Sequence, residues 1–184
     1  MPPPIPVELS PYRPEWPQMA ARYVEDLRTL EPIVVTVHHI GSTSVPGLAA
    51  KPIIDLMPVV TDLGDLDREH ARIESLGYGW HGEFGIRGRR YCTLSNENGL
   101  RLAQLHFFQE ESPQIERHLA FRDYLRAHPE TAAAYEKEKR RARDLHPNDS
   151  HAYTNQKAMW IQNVEAKALQ WRASQQLHHP HIAG

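Results

Sequence analysis

The sequence of 184 residues contains a single cysteine, carries almost no net charge and lacks a long apolar run. One cysteine, Cys92, excludes an internal disulfide and a zinc ribbon built on several thiolates. The 21 basic and 23 acidic residues leave a net charge of −2, so we expect no extended surface for nucleic acid. Any phosphate contact therefore has to be local. No apolar stretch reaches the roughly 20 residues that span a bilayer, so we expect no membrane partner.

The first residues favour an extended arm. Seven of the fifteen prolines lie in residues 1–17, and proline removes a backbone donor and fixes φ. The same segment has neither the basic nor the apolar region of a signal peptide. These features favour a cytoplasmic location, and the sequence leaves the oligomeric state open.

Apolar patterns predict the strands and helices of an α+β protein. The strand-like segments, rich in β-branched and aromatic residues, are 33–40, 52–60, 90–95 and 101–108. The last two flank Asn96-Glu97-Asn98-Gly99, which is typical of a hairpin turn. The segments with helical periodicity are 16–30, 65–76, 113–127, 130–145 and 151–172.

This order predicts a small mixed sheet with flanking helices, followed by a helical C-terminal bundle. We place the sheet-containing core and its proline-rich arm at residues 1–110. The helical part covers residues 111–173 and is expected to pack on the core. Residues 174–184 are predicted to form a disordered tail.

The candidate site begins at Gly41-Ser42 and continues to Asp55. Backbone N–H groups of a Gly-Ser turn can bind an anion. Asp55 lies among apolar residues of a predicted strand, and an unpaired carboxylate there is costly. Asp55 therefore needs a metal, a cation or a strong donor, although a structural pair with an arginine or a turn cap would also satisfy it.

Two cations of the helical part are predicted to face inward. At 100° per residue, Lys157 falls within the stripe that holds Tyr153 and Trp160, and Arg122 lies on the apolar arc of its own helix. Each could meet a phosphate or carboxylate in a cleft. The structural alternatives are a lysine that extends to solvent or pairs with a core acid, and an ion pair between Arg122 and Asp123.

Four blocks, in this order, resemble the GrpB family: HIGSTSVPGLAAKPIIDL, GIRGRRY, IERHLAFRDYLRAHPE and AYTNQK. The resemblance covers residues 7–171. It implies a minimal nucleotidyltransferase fold of the DNA polymerase β type. In such enzymes the Gly-Ser pair, here Gly41 and Ser42, binds phosphate, and the first acid, here Asp55, binds a divalent metal. The resemblance thus implies Mg²⁺ or Mn²⁺, with Zn²⁺ as an alternative, and a nucleotide or another phosphorylated small molecule as ligand.

The chain departs from that pattern at the second acid. Its position is taken by Met57, and a thioether is a poor ligand for a hard cation. The neighbouring strand carries Gln104 and His106 on the corresponding face, and no acid. His106 is therefore our candidate for a second metal ligand beside Asp55.

Two further cations could contact the ligand's phosphates. Lys51 directly precedes the strand that bears Asp55, and Arg90 lies at the end of a glycine-rich loop with three arginines. A solvent-facing lysine and a solvated loop are the structural alternatives.

Three functions fit these residues. The first is a nucleotidyltransferase-like protein that binds a nucleotide and transfers a nucleotidyl group with a metal. The second is a binding or sensor module on the same fold without catalysis, favoured by Met57. The third is a metal enzyme built on Asp55 and His106. Fusion of family members to dephospho-coenzyme A kinase adds weight to a nucleotide or coenzyme context.

Overall fold

The computed structural model describes residues 4–178 of the chain. They divide into a first unit, Leu9–Ile115, and a second unit that combines residues 116–178 with residues 4–8. The first unit holds the sheet and the second holds the C-terminal helices. Among residues 4–178, none of the helices combines the length and the apolar character that crossing a bilayer requires.

The first unit is built on a mixed sheet of five strands in the order β1-β2-β5-β4-β3. The strands are β1 Val34–Ile40, β2 Ile54–Val60, β3 Tyr78–Trp80, β4 Arg89–Ser95 and β5 Arg101–Gln109. β2 and β5 pair in parallel, and the other neighbours pair antiparallel. The predicted mixed sheet and the hairpin between β4 and β5 are confirmed. β3 was not predicted, because three residues are too few to show a period.

Three helices belong to this unit: α1 Trp16–Leu27, α2 Leu63–Arg68 and α3 His70–Ser75. The single helix predicted at 65–76 is wrong, since Glu69 leaves the helical dihedral region and separates α2 from α3. Asp62 caps α2 by accepting a hydrogen bond of 2.9 Å from the backbone of Asp65. α3 is followed by Gly77, whose φ of +92° suits glycine at a helix end.

One face of the sheet forms the apolar core of the first unit. Successive strand residues point to opposite faces, and the core face carries Leu56, Cys92, Leu105 and Phe107, all fully buried. Burial raises the pKa of the Cys92 thiol to about 12. The opposite face of β2, β4 and β5 carries the polar residues of the candidate site.

The C-terminal helices are α4 Pro113–Ala127, whose first three residues still belong to the first unit, α5 Pro129–Leu145 and α6 Ser150–His178. The predicted bounds of α4 are confirmed, and α5 starts one residue earlier than predicted, with Pro129 in its first turn. The predicted end of the last helix at residue 172 is wrong. Neither glycine nor proline occurs between Arg172 and His178, so nothing ends the helix there. Residues 179–184 of the predicted tail lie outside the described residues.

A buried lysine lies in the packing of α5 against α6. α5 buries Tyr135, Lys139 and Ala142 at the spacing of one helix face. Tyr135 stacks on Trp160 with ring centroids 4.9 Å apart, and the Lys139 Nζ lies 4.7 Å from the Tyr135 ring centroid. Burial and then the positive charge of Lys157 lower the pKa of Lys139 to about 7. Folding therefore works against the charged form of this side chain.

We expect Lys139→Met to raise the free energy of unfolding near pH 7, by a few kcal/mol at most, since one pKa unit corresponds to about 1.4 kcal/mol. The pKa of Lys139 falls on folding, so between its folded value of about 7 and its ordinary value of 10.5 the unfolded chain binds more protons. Stability from this group therefore rises with pH across that interval. When the free energy of unfolding is measured with urea at pH 7 and at pH 9, it should increase less for Lys139→Met than for the wild type.

The matched control is Lys137→Met, which removes an exposed lysine from the same helix. It should leave the pH dependence unchanged. A Lys139→Met protein with the wild-type increase between the two pH values would contradict the assignment.

Candidate functional site

The carboxylate of Asp55 lies against the backbone of Gly41. In the sheet Asp55 pairs with Ile40 of β1, and Gly41 is the next residue of the chain. A Cβ atom added to Gly41 would lie 2.6 Å from the Asp55 Oδ2. Gly41 also has φ +70° and ψ −174°, a region that is essentially restricted to glycine. Both the backbone conformation and the carboxylate therefore require glycine at this position.

Side chains of the turn after Gly41 hold its shape. Residues Ser42–Ser44 form a 3-10 turn, and the Ser44 hydroxyl donates to the Gly41 carbonyl at 2.6 Å. The His39 Nε2 lies 2.9 Å from the Thr43 hydroxyl. The turn is thus fixed beside Asp55, while the predicted binding of phosphate by Gly41 and Ser42 stays a prediction.

His106 lies between Asp55 and a buried arginine. Its Nε2 is 3.4 Å from the Asp55 Oδ1, and its Nδ1 is 3.4 Å from an Nη of Arg89. The His106 ring packs against Tyr91 with centroids 5.3 Å apart. Burial, followed by the negative charge of Asp55, raises the pKa of Tyr91 to about 12. The structure therefore places the His106 ring beside Asp55, while metal binding by these two residues stays a prediction.

Arg89 connects this group to the loop before β4. Its side chain is 6% exposed and donates to the carbonyl oxygens of Glu83 at 3.2 Å and Phe84 at 2.5 Å. The guanidinium carbon lies 4.8 Å from the Tyr91 ring centroid. Phe84, with φ +46°, stacks on the same tyrosine. Arg89 thus holds the loop, the aromatic ring and His106 in one arrangement.

Arg90 points to the opposite face of β4. Its guanidinium donates to both carboxylate oxygens of Asp67, at 2.6 and 2.7 Å, and these hydrogen bonds lower the pKa of Asp67. The structure therefore does not bring Arg90 to Asp55, and Arg89 is the arginine of this loop that faces His106. The sequence feature that could have identified Arg89 is the predicted hairpin of β4 and β5. Its register pairs Tyr91 with His106, and Arg89 lies two residues before Tyr91, on the same face of the strand.

The other candidates of the first unit are placed as follows. Lys51 is partly exposed and precedes β2 in the chain. The residue before it, Ala50, forms an isolated antiparallel β-bridge with Ser10. Met57 is fully buried on the strand of Asp55, and Gln104 pairs with Asp55 in the register.

On β2 and β5, Asp55 is the one carboxylate that a metal at this site could use. Within residues 4–178 no group of three or more His, Cys, Asp and Glu residues is arranged to hold a metal. Oxygen ligands suit Mg²⁺ or Mn²⁺, and Mg²⁺ is commonly held by one or two carboxylates together with a ligand's phosphates. The donor set therefore fits a cation that binds with a phosphorylated ligand.

The predicted cations of the second unit are held by their own neighbours. Arg122 donates to Asp123 at 2.8 Å, and Asp123 also accepts from Arg172 at 2.9 Å. Burial raises the pKa of Asp123, but the two arginines outweigh it and lower the pKa. The Lys157 Nζ lies 4.3 Å from the Tyr153 ring centroid. The ion pair proposed as an alternative for Arg122 is present, and convergence of Arg122 and Lys157 with Asp55 stays a prediction.

We expect Gly41→Ala to lower the free energy of unfolding by about 2 kcal/mol or more, since a residue forced into a glycine-only conformation costs about 1–3 kcal/mol and its Cβ meets the Asp55 carboxylate. Gly47→Ala is the control, because Gly47 has φ +79° but nothing within 4 Å of an added Cβ. Urea unfolding should show a larger loss in the free energy of unfolding for Gly41→Ala than for Gly47→Ala. The loss caused by Gly41→Ala should be smaller when Asp55 is also replaced by alanine. Equal losses at both glycines would contradict the close contact.

The chain is similar to proteins of one family over most of its length. Residues 6–167 match the family described as GrpB protein. The UPF0157 protein YqkA of Bacillus subtilis is 37% identical over 167 residues, which are 90% of this chain and 48% of YqkA, so the chain spans about half of that relative. A dephospho-CoA kinase of Mycolicibacterium paratuberculosis is 29% identical, over 92% of this chain and 47% of the kinase.

The crystal structure of GrpB from Enterococcus faecalis is 36% identical with a TM-score of 0.84, covering 90% of this chain and 99% of that one. The chain therefore belongs to the GrpB family.

Proposed function

We propose that this protein binds a nucleotide or another phosphorylated small molecule beside Asp55, together with a divalent cation. The observation that carries the proposal is the contact of the Asp55 carboxylate with the Gly41 turn. A carboxylate alone repels a phosphate, whereas a cation between the two makes the pair favourable. The turn supplies backbone N–H groups on the phosphate side, and Asp55 supplies the oxygen ligand on the cation side.

In this proposal each residue has a distinct task. Asp55 would hold the cation, which when bound offsets the negative charge of the phosphates. Gly41 and Ser42 would orient a phosphate group through the turn. Lys51 would supply positive charge toward the rest of the ligand.

In-line nucleotidyl transfer is the reaction that such an arrangement suits, because it requires positioning and charge stabilisation rather than a covalent intermediate. The similarity to a dephospho-CoA kinase supports a nucleotide context.

The second candidate is binding without transfer, and Met57 favours it. Met57 occupies the place of the second acid and is fully buried, so within β2 and β5 Asp55 is the one carboxylate. A single carboxylate can position a cation with its ligand, but it leaves no protein ligand for a second cation. A sensor or carrier protein would show saturable binding and no turnover.

We expect a thermal-shift screen of nucleotides and phosphorylated metabolites to give a ligand whose stabilisation increases with Mg²⁺ or Mn²⁺. Saturating ligand at a hundredfold excess over Kd should add about 2.7 kcal/mol to the free energy of unfolding. Asp55→Asn keeps the shape of the side chain but weakens cation binding, so it should remove the metal-dependent part. Asp65→Asn is the control, because Asp65 is a carboxylate on α2 paired with Arg68.

A metal-dependent shift that survives Asp55→Asn, or a screen without any shift, would overturn the proposal. Pyrophosphate release in the presence of an acceptor hydroxyl, either water or an added alcohol that takes up the nucleotidyl group, separates the two candidates. Release that Asp55→Asn abolishes identifies nucleotidyl transfer, and binding without release identifies the binding module.

A further inference from the structure

A chain of polar contacts leads from the loop before β4 to Asp55. The Arg89 guanidinium donates to loop carbonyls on one side and faces the His106 Nδ1 at 3.4 Å on the other. The His106 Nε2 faces the Asp55 Oδ1 at 3.4 Å. The two ring nitrogens of His106 therefore meet neighbours of opposite character, a cation that only donates and a carboxylate that only accepts when ionised.

The arginine determines which nitrogen carries the proton. A guanidinium has N–H donors and no acceptor, so the His106 Nδ1 can make a hydrogen bond with Arg89 only through its lone pair. A neutral imidazole then carries its proton on Nε2 and donates it to Asp55. We propose that Arg89 is a positioning residue that fixes His106 in the Nε2–H tautomer, so that His106 donates to Asp55 and does not bind a metal.

The distance between His106 and Asp55 does not decide whether the two side chains share a hydrogen bond or a metal ion. Zinc bonds to nitrogen and oxygen are each about 2.0–2.2 Å, so two atoms 3.4 Å apart could share a tetrahedral ion or a hydrogen bond. A metal on Nε2 would require its lone pair and leave the proton on Nδ1, which then needs an acceptor. Arg89 offers none. The contact of Nδ1 with the Arg89 guanidinium therefore selects the hydrogen bond.

Arg89 is held firmly enough to impose this choice. Its side chain is 6% exposed, and its guanidinium packs over Tyr91. Two of its nitrogens are directed to the carbonyls of Glu83 and Phe84, which leaves the third aimed at His106. A rotation that turned the guanidinium away from His106 would break these contacts in a buried place, where lost hydrogen bonds are costly.

The consequence concerns the second oxygen of Asp55. With Oδ1 accepting from His106, Oδ2 is the oxygen beside Gly41 and is the one that would hold the cation. This consequence rests on the proposed function, whereas the tautomer of His106 does not.

The test is the protonation pattern of the His106 ring, read from its ¹⁵N signals by NMR at pH 8.5. The wild type should show the proton on Nε2. Asp55→Asn should keep it there, because an amide can donate as well as accept and Arg89 still faces Nδ1. The double variant Asp55→Asn with Arg89→Gln should show a share of the Nδ1–H form, since glutamine can accept from Nδ1.

Arg90→Gln in the same Asp55→Asn background is the matched control, because it removes the neighbouring arginine from the opposite face. It should retain the Nε2–H form. A proton on Nδ1 in the wild type, loss of the Nε2–H form in Asp55→Asn alone, or no Nδ1–H form in the double variant would each overturn the proposal. The first two measurements do not depend on whether Arg89→Gln folds.

Zinc binding gives an independent readout. Arg89→Gln should create affinity for Zn²⁺ at His106, at least about tenfold above that of Arg90→Gln, as expected when the partner of a metal-binding histidine changes. The gain should disappear in Arg89→Gln with His106→Ala. Equal zinc affinity of the two arginine variants would contradict the role of Arg89. Nucleotide binding can fail while the tautomer result holds, so the two proposals are separable.

Discussion

The close approach of the Gly41 backbone to the Asp55 carboxylate is the constraint on which the candidate site depends. A charged side chain on a strand among apolar neighbours is stable only if its oxygens are hydrated, paired or bonded to donors. Asp55 meets this condition with one oxygen 3.4 Å from the His106 Nε2 and with a side chain that is 28% exposed to solvent. Any residue larger than glycine at position 41 would separate the turn from the carboxylate, and the site would lose the juxtaposition of an anion-binding turn and a cation-binding oxygen.

The alternation of strand residues explains why one sheet serves both stability and chemistry. In β5 the odd positions Leu105 and Phe107 are fully buried in the core, whereas His106 points to the opposite face. The same alternation in β4 places Cys92 in the core and Tyr91 against His106. A shift of one residue in the pairing of β4 with β5 would exchange the two faces. The burial of the core face therefore also fixes which side chains surround Asp55.

Much of the fold could be predicted because its signals are local. The β-branched runs gave the main strands, Asn96–Gly99 gave the hairpin, and proline marked the start of α4 and α5. The interruption at Glu69 could not be predicted, since no glycine or proline marks it. At the site, Gly41, Asp55 and His106 followed from spacing and from resemblance to the family. Arg89 and Lys139 were missed for a different reason: their roles depend on burial and on register with partners far along the chain, which a charged residue type by itself does not reveal.

The strand order has a kinetic consequence. β1 pairs with β2, and β4 pairs with β5, in antiparallel ladders between segments close in sequence. The parallel ladder of β2 with β5 joins these two halves across a long stretch of chain, and such non-local pairing forms slowly because loop closure precedes its contacts. Asp55 belongs to one half and His106 to the other. The two side chains therefore meet only when the halves join, and a chain in which this parallel ladder has not formed does not present the site.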